Sequence, residues 1–384
     1  MKSRHIDYVR QIDSAGLTRR RSLWSIIHID PWLLLFLLML TVYGLFVLYS
    51  GSDMSIASVK KQGVFFLIAY GAMFVVAQFP MHFYRRMAPV FYAIGIFLLL
   101  LVPLIGVGAK GAVRWLDIPG LIRFQPSEIL KAAMPLTVAW WLTKKNLPPT
   151  FWHILATLVL IFLPVLLIAS QPDLGTSILV ATSGLFVLLL GGIFWRYIFG
   201  AVLLLVIAAW PMWQFVLHDY QKNRILTLLD PERDKFGTGW NIIQSTTAIG
   251  SGGWEGKGWL HGTQSHLNFL PESHTDFIIA VLSEEFGLKG VIVLMMIYMA
   301  IISRGLYIAW HATSNFNQLV AGSLTLTFFI YVFVNMGMVS GVLPIVGVPL
   351  PLVSQGGTAV VSLMVGFGFL MAVAADKQQF SREV

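Results

Sequence analysis

The 384-residue chain contains no cysteine, so neither disulfide bonds nor thiolate metal sites are available to it. It also has few charged residues, 11% of the total, whereas a soluble domain contains about 25%. Hydrophobic residues make up 57% of the chain, and the mean hydropathy is +0.76. This composition excludes an ordinary soluble domain and indicates a protein that crosses a membrane several times.

Apolar stretches of about 17–25 residues, enough for a helix to cross a bilayer, recur along the chain. A shorter stretch at 127–142 is interrupted by Glu128 and Lys131. The pattern predicts an all-α polytopic membrane protein of about ten transmembrane helices, with a large loop at 218–275 between the seventh and eighth. No internal repeat is evident, which argues against transporter folds built from repeated halves. The longer stretches are 32–50, 62–79, 88–107, 151–169, 174–191, 197–217, 286–308, 316–340 and 358–375.

Basic residues set the predicted orientation, because Lys and Arg concentrate on the cytoplasmic side of membrane proteins. The net charge of +8 is therefore assigned to membrane anchoring rather than to nucleic-acid binding. Residues 1–30 are predicted to be a basic cytoplasmic tail without a cleavable signal peptide, 31–376 the membrane domain, and 377–384 a second cytoplasmic tail. Loop 218–275 then lies outside. The inner connections hold Arg85, Arg86, Lys144, Lys145, Arg196, Arg304, Lys377 and Arg382, and the short outer ones hold Lys60, Lys61, Lys110, Arg114 and Arg123.

The outer segment 106–131 combines helix-breaking Gly and Pro with several basic residues, and then begins a helix at QPSEILK. Glu128 and Lys131 are three residues apart, so they share a face of that helix. One interpretation is a salt bridge that neutralises two charges at the membrane edge. The other is that Lys131 and Arg114 bind a phosphate while Glu128 positions Lys131.

Two further outer segments contain turn residues. SQPDLGTS, at 170–177, predicts a tight turn in which Asp173 caps the next helix or, less favoured, contacts a substrate. GVLPIVGVPLPLVSQGG, at 341–357, is apolar but too rich in Pro and Gly for a regular helix. Irregular backbone at membrane depth is tolerated where it is buried in protein or lines a cavity, so this segment is predicted to form a groove wall.

Loop 218–275 contains too many Trp, Ile and Leu residues for a disordered linker. It predicts short amphipathic helices on the membrane, with Trp240, Trp254 and Trp259 at interfacial depth. Its glycine-rich GSGGWEGKG lacks the Gly-Lys-Ser/Thr of a phosphate loop and has no strand before it. A flexible gate or a close-packed turn is the better interpretation.

Residues 274–276, His-Thr-Asp, close this loop directly before an apolar helix. Charged groups near lipid are costly and usually functional. Asp276 therefore stands where a water-facing loop meets the bilayer, a place suited to a substrate with a sugar head and a lipid tail. Alternatively, Asp276 is only a helix N-terminal residue favoured by the macrodipole. His274 is either a second base or a hydrogen-bonded loop residue.

Several motifs occur in an order that resembles the SEDS family of cell-wall polymerases, over about residues 30–375. They are RFQPSE, QPDLGTS, NR before LLDPERD, AIGSGG with GKGWLHGTQSHLNFLPESHTDFI, and GVPLPLVSQGG. GWLHGTQSHLNFLPE is similar to the RodA branch, which acts in cell elongation, rather than to the FtsW branch of cell division. The sequence departs from many members at Gln355, where Tyr is expected.

The resemblance implies a ten-helix fold in the bacterial cytoplasmic membrane with both termini in the cytoplasm. It implies a peptidoglycan glycosyltransferase that polymerises lipid II on the outer face and releases undecaprenyl pyrophosphate. It also implies a complex with a class B penicillin-binding protein, a transpeptidase, and with other elongation proteins. The catalytic Asp of the family falls on Asp276, and its acid–base pair falls on Glu128 and Lys131.

In this chemistry a sugar hydroxyl attacks an anomeric carbon that carries a lipid pyrophosphate. A positioned carboxylate such as Asp276 can accept the hydroxyl proton, and direct displacement would invert the anomeric centre. Arg114, Lys131 and Arg224 can stabilise the pyrophosphate, although Arg224 could instead anchor the loop to lipid headgroups. The sequence assigns no definite cofactor, and a divalent cation, Mg²⁺ or Mn²⁺, is an alternative source of positive charge. The other candidates for substrate contact are Lys110, Asp173, His274 and Ser354.

Two other classes of function stay open at this point. A lipid II flippase would need polar residues through the bilayer core, but the charges of this chain gather at the ends of the apolar stretches. A non-catalytic scaffold of the elongation machinery would not need a carboxylate and several cations at one membrane junction. Purified protein supplied with labelled lipid II would separate the three.

Overall fold

The computed structural model describes residues 27–109, 112–118, 122–145, 147–234, 237–266 and 272–380. The candidate Lys110 lies outside these ranges, as do residues 1–26 and 381–384 of the predicted tails. The helices are α1 Pro31–Gly51, α2 Ile56–Gln78, α3 Met81–Ile105, α4 Pro126–Leu142, α5 Phe151–Ala169, α6 Leu174–Leu190, α7 Trp195–Pro211, α8 Asp219–Leu229, α9 Thr238–Gly252, α10 Thr263–His266, α11 Ile278–Trp310, α12 Asn315–Val339 and α13 Thr358–Phe380.

The prediction of an all-α polytopic membrane protein is confirmed. Within the described residues, eight helices are long and apolar enough to cross a membrane, namely α1, α2, α3, α5, α7 with its π-helical extension Met212–Val216, α11, α12 and α13. The shorter α4 and α6 occupy the places of the fourth and sixth predicted spans. The predicted eighth span began at 286, whereas α11 begins at Ile278, directly after Asp276.

The helices differ in how deeply they are buried. In α12 and α13, 61% of the apolar window is buried inside the protein, so these two helices form the centre of the bundle. Around them, α2 packs on α13, α11 and α6 pack on α12, and α1 packs on α11. By contrast, α7 buries none of its residues and stands at the periphery. The central helices therefore supply the rigid frame for any site at the outer end of the bundle.

A small antiparallel sheet follows α3, in a segment for which only helix-breaking residues were predicted. Its strands are β1 Val107–Ala109, β2 Ala112–Ile118 and β3 Ile122–Phe124, in the order β1-β2-β3. Val107 pairs with Trp115, and Leu116 pairs with Phe124. The sheet holds Arg114, on β2, against the turn that precedes α6.

The opposite end of the bundle is closed by an ion pair. Asp30 is the N-cap of α1, where its Oδ1 accepts a hydrogen bond of 2.9 Å from the Leu33 N–H. Arg304, in α11, donates to both oxygens of the same carboxylate, at 3.1 and 2.6 Å. This bidentate geometry is the strong form of the Arg–carboxylate interaction, and it ties the beginning of α1 to the far half of α11.

The orientation can be tested with single cysteines, because the chain has none. Lys60 and Thr313 are exposed at opposite ends of the bundle. We expect Lys60→Cys to react with a membrane-impermeant thiol reagent in intact cells and Thr313→Cys to react only after the membrane is opened. Labelling of Thr313→Cys in intact cells would reverse the topology and place the Asp276 junction on the cytoplasmic side.

Candidate active site

The turn at 272–277 carries His274, Thr275 and Asp276, and its backbone is held by the irregular segment 341–357. The Gln355 N–H donates to the His274 carbonyl at 2.9 Å. The Ser354 hydroxyl donates to the Thr275 carbonyl at 2.5 Å and accepts from the Leu350 N–H at 2.8 Å. Ser354 is almost fully buried. Its position therefore makes it a support for the turn, and the predicted contact of Ser354 with substrate stays a prediction.

Asp276 is half-buried beside bare backbone of the same segment. A Cβ placed on Gly347 would lie 3.6 Å from Asp276 Oδ2, and Gly347 has a φ of +73°, which favours glycine. The amide of Asn335, in α12, donates to the Asp276 carbonyl at 2.9 Å and to the Val348 carbonyl at 2.7 Å. The carboxylate is thus placed by a backbone that three hydrogen-bonded segments hold in position.

The first turn of α6 also packs on segment 341–357. A Cβ on Gly175 would approach the Val346 carbonyl oxygen to 2.8 Å, so the two are in direct contact. Asp173 caps α6, since its Oδ1 accepts from the Thr176 N–H at 3.2 Å. Its Oδ2 accepts from Gln125 Nε2 at 2.7 Å. The favoured interpretation of Asp173 as a helix cap is therefore confirmed, while its contact with substrate stays a prediction.

Two of the predicted cations meet at this cap. Arg114 Nε donates to the Gln171 carbonyl at 3.2 Å, another guanidinium nitrogen donates to the Pro172 carbonyl, and Nη1 lies 3.9 Å from Asp173 Oδ1. Arg224, in α8, is close enough to interact electrostatically with Arg114 and Asp173. Burial is the main cause that lowers the pKa of Arg224, and the neighbouring Arg114 lowers it further. One carboxylate therefore lies near two guanidinium groups.

Glu128 and Lys131, both on α4, form an ion pair on the side of that helix that faces the central helices. Lys131 Nζ lies 2.7 Å from Glu128 Oε1, and the two side chains are 13% and 10% exposed. The other carboxylate oxygen accepts a hydrogen bond from Ser362, and the ammonium lies 5.6 Å from the centre of the Tyr331 ring. The predicted salt bridge is present and buried. The catalytic and phosphate-binding roles of the pair stay predictions.

The two groups of candidates are connected through α12. Tyr331 packs against Lys131, and Asn335 holds the backbone of Asp276. Tyr331 and Asn335 are four residues apart, so they lie on one face of the helix, about 6 Å apart along its axis. One rigid helix therefore connects the ion pair to the Asp276 junction.

The outer loop is fastened to α11 by close backbone contacts. Gly287 interrupts α11 with a φ of +62°, and a Cβ there would lie 2.4 Å from the Gly256 nitrogen. A Cβ on Gly252 would lie 2.0 Å from the Ser283 carbonyl oxygen. The Lys257 N–H donates to the Glu284 carbonyl at 3.0 Å. Of the two predicted alternatives, a flexible gate and a close-packed turn, the glycine-rich segment is therefore the close-packed turn.

A buried carboxylate holds the next part of the loop. Glu284 is fully buried, and its Oε1 accepts from Lys257 Nζ at 2.7 Å, from the Thr263 N–H at 2.8 Å and from the Gln264 N–H at 3.0 Å. Trp259 stacks on Phe46 of α1 with ring centres 4.3 Å apart. These contacts dock the segment from Lys257 to Gln264, which includes the start of α10, on the helix bundle. The placement of the short helices on the membrane surface stays a prediction.

Sequence reasoning missed three residues that organise the site: Asn335, Glu284 and Gly347. A lone amide in the apolar run VFVNMG, and a carboxylate next to an apolar span, are both costly near lipid and could have identified the first two. Gly347 was one of several glycines in segment 341–357, and nothing in the sequence distinguishes it from the others. In the described part of the chain, no three His, Asp or Glu side chains come together as a metal site.

The model of a protein family matches residues 31–379, which is nearly the whole membrane domain. It is the model for FtsW, RodA and SpoVE, described as cell cycle proteins. The chain belongs to this FtsW/RodA family, the SEDS proteins. The resemblance seen in its motifs is therefore confirmed.

Relatives within the family favour the RodA branch. The peptidoglycan glycosyltransferase MrdB of Escherichia coli K12, a RodA protein, is 52% identical over 366 residues, 95% of this chain and 98% of its own. The MrdB protein of Helicobacter pylori is 36% identical over 360 residues, 92% of each chain. A probable peptidoglycan glycosyltransferase FtsW of Geobacter metallireducens is 34% identical over 373 residues, 94% of this chain and 98% of its own.

Solved structures share the fold of this SEDS protein. One is a chain from a peptidoglycan synthase complex that coordinates polymerization and crosslinking. It matches with a TM-score of 0.79 and 26% identity, over 91% of this chain and 98% of that one. The rod shape determining protein RodA of Thermus thermophilus matches with a TM-score of 0.68 and 23% identity, over 91% and 97%. The described helices therefore form the SEDS fold.

The docking of the loop can be tested with two glycines of α9. Gly252→Ala places a methyl group against the Ser283 carbonyl, and overpacking of this kind costs about 1–3 kcal/mol. Gly250 has open space around its Cα, so Gly250→Ala should leave the protein as stable or make it slightly more stable. Thermal unfolding and limited proteolysis of the loop measure both effects. Equal behaviour of the two variants would contradict the close-packed contact.

The buried ion pair predicts coupled effects of mutation. Glu128→Gln or Lys131→Met alone leaves one charge buried without its partner, which costs about 3–5 kcal/mol. The double variant should be more stable than the less stable single variant. The exposed pair Glu255–Lys289 provides the control, since Glu255→Gln should leave thermal stability almost unchanged. If the double variant also polymerises lipid II at the normal rate, the pair has only a structural role.

Proposed function

We propose that the chain polymerises lipid II into glycan strands on the outer face of the bacterial cytoplasmic membrane during cell elongation. The observation that carries this proposal is the half-buried Asp276, held by its backbone at the start of an apolar span and joined through α12 to Lys131 of the buried ion pair. Relatives that cover nearly the same length are named peptidoglycan glycosyltransferases, which supports the same activity here.

Asp276 acts as the general base. Its carboxylate accepts the proton of the sugar 4-hydroxyl while the hydroxyl oxygen forms a bond to the anomeric carbon of the second lipid-linked sugar. The bond from that carbon to the pyrophosphate oxygen breaks, and undecaprenyl pyrophosphate leaves with the electron pair. Because the displacement is direct, the configuration at the anomeric carbon is inverted.

The leaving pyrophosphate is stabilised by the chain's own cations. Arg114 lies 3.9 Å from Asp173 and Arg224 is near both, so one carboxylate faces two positive charges. Guanidinium groups suit pyrophosphate because they donate two hydrogen bonds in a fixed plane. Lys131, with its partner Glu128, adds a third cation between α4 and α12. Lys110 and His274 complete the proposed substrate contacts.

A divalent cation such as Mg²⁺ or Mn²⁺ could add further charge to the leaving group. In the ranges that the structure describes, no three His, Asp or Glu side chains converge, so such a cation would take most of its ligands from the substrate pyrophosphate and water.

Both termini are placed in the cytoplasm, and the protein acts with a class B penicillin-binding protein and other elongation proteins. Cross-linking requires a second active site, because the proposed chemistry of this chain only lengthens glycan strands. The solved relative from a peptidoglycan synthase complex supports such an assembly. Lipid II and membrane lipid are the other partners, and nucleic acid is not one.

The variant Asp276→Asn tests the base directly. It preserves the shape of the side chain but cannot accept the proton, so polymerisation of labelled lipid II should fall by about 10²–10⁴-fold. The variant should still fold and bind both lipid II and its transpeptidase partner. Asp117→Asn makes the same chemical change at an exposed position on β2 and should retain normal activity.

Polymerisation by folded Asp276→Asn at nearly the wild-type rate would show that Asp276 is a helix-terminal residue and that the base lies elsewhere. If the wild-type protein moves lipid II across vesicle membranes but makes no glycan, the flippase is the correct function. Activity of neither kind, with normal binding of the partner, would indicate a scaffold.

A further inference from the structure

Asn335 is a fully buried amide near the outer end of α12, in an otherwise apolar stretch of helix. Its Nδ2 donates to two carbonyl groups, that of Asp276 at 2.9 Å and that of Val348 at 2.7 Å. These carbonyls belong to two segments that are distant in sequence, the turn 272–277 and the irregular segment 341–357. One side chain therefore joins both segments to the central helix.

The orientation of this amide is determined by its partners. Both neighbours are carbonyl oxygens, which accept but do not donate, so the NH₂ group must face them. The Asn335 Oδ1 atom is then directed away from both, and it has no partner among the described residues although it is buried. A buried acceptor without a partner costs free energy. The unpaired acceptor therefore offsets part of the stability that the two hydrogen bonds of the amide contribute.

The Asn335 amide lies between the backbone of Asp276 and the segment that packs against the Asp276 carboxylate. It bonds the backbone of Asp276 itself, and the second carbonyl follows Gly347, which lies against the Asp276 carboxylate. One turn earlier on the same face of α12, Tyr331 packs against Lys131. Asn335 thus holds Asp276 at a set distance from Lys131, and its own amide bonds backbone carbonyls rather than facing a reacting group.

We propose that Asn335 is a positioning residue that holds Asp276 in its reactive geometry by bonding the Asp276 and Val348 carbonyls to α12. This inference rests on the proposed role of Asp276 as base. A displacement of about 1 Å can lower a rate by about 10²-fold without weakening binding. Removal of the amide should therefore reduce turnover and leave substrate affinity unchanged.

Two variants remove the amide, Asn335→Ala and Asn335→Leu, of which the second keeps a similar volume. We expect kcat for lipid II polymerisation to fall about 10²-fold, with KM within about threefold of wild type. Asn317→Ala is the matched control, because Asn317 is a buried amide on the same helix that bonds Asp376 at the other end. It should lower thermal stability at least as much as the Asn335 variants and leave kcat unchanged.

A double-mutant cycle shows whether Asn335 acts through Asp276. In the background of Asp276→Asn, the Asn335→Leu change should cause no further loss of rate, since there is no base left to position. A further loss equal to that seen in the wild-type background would overturn the proposal. So would normal kcat in both Asn335 variants, or failure of both to fold when Asn317→Ala folds.

The same experiment separates this inference from the proposed function. If Asp276→Asn is inactive and the Asn335 variants are normal, only the positioning role is wrong. If Asp276→Asn is active at nearly the wild-type rate, the proposed base is wrong, and the positioning role is overturned with it.

Discussion

Irregular backbone at membrane depth must find hydrogen-bond partners inside the protein, because lipid offers none. Segment 341–357 is such a backbone, and the outer half of the bundle is organised around satisfying it. The Asn335 amide donates to its Val348 carbonyl, and the Ser354 hydroxyl accepts from its Leu350 N–H. The N–H of Gln355 donates to the turn at 272–277. The same bonds that make this segment tolerable in a membrane also determine where Asp276 stands.

A second consequence concerns how charge is held near lipid. Glu284 is fully buried but accepts several hydrogen bonds from the loop, and Glu128 is buried but paired with Lys131. Each carboxylate is stabilised by groups that the fold brings to it, so burial does not leave an isolated charge. By contrast, the carboxylate of Asp173 lies near two guanidinium groups, those of Arg114 and Arg224.

The sequence predicted the helices well, because membrane spans are determined by long apolar runs that need no tertiary information. The beginning of α11 was placed eight residues too late, at 286 rather than Ile278, since Glu284 and Glu285 look like the polar flank of a span. The docked loop bonds the Glu284 carboxylate and Ser50 of α1 donates to Glu285, so both carboxylates find partners that the sequence does not reveal. The sheet after α3 was missed because its strands are short and lie among glycines.

The candidate site was predicted through residues with their own chemical signal, such as Asp276, Glu128 and Lys131. Asn335 and Gly347 carry no such signal, because their importance depends on which carbonyl or carboxylate lies opposite them in space. The cap role of Asp173 was predictable, since capping is a local interaction between neighbours in sequence. Its proximity to Arg114 and Arg224 depends on three separate segments and could be known only from the fold.

Helix α7 buries no residue, and this has a consequence for how the chain can vary. A position that contacts only lipid is constrained by hydropathy, not by shape, so exchanges among Leu, Ile, Val and Phe there should accumulate freely between related proteins. In α12 the same exchanges would alter the spacing between the ion pair and Asp276. The sequence record of the family should therefore show a variable seventh span beside a nearly invariant ninth one.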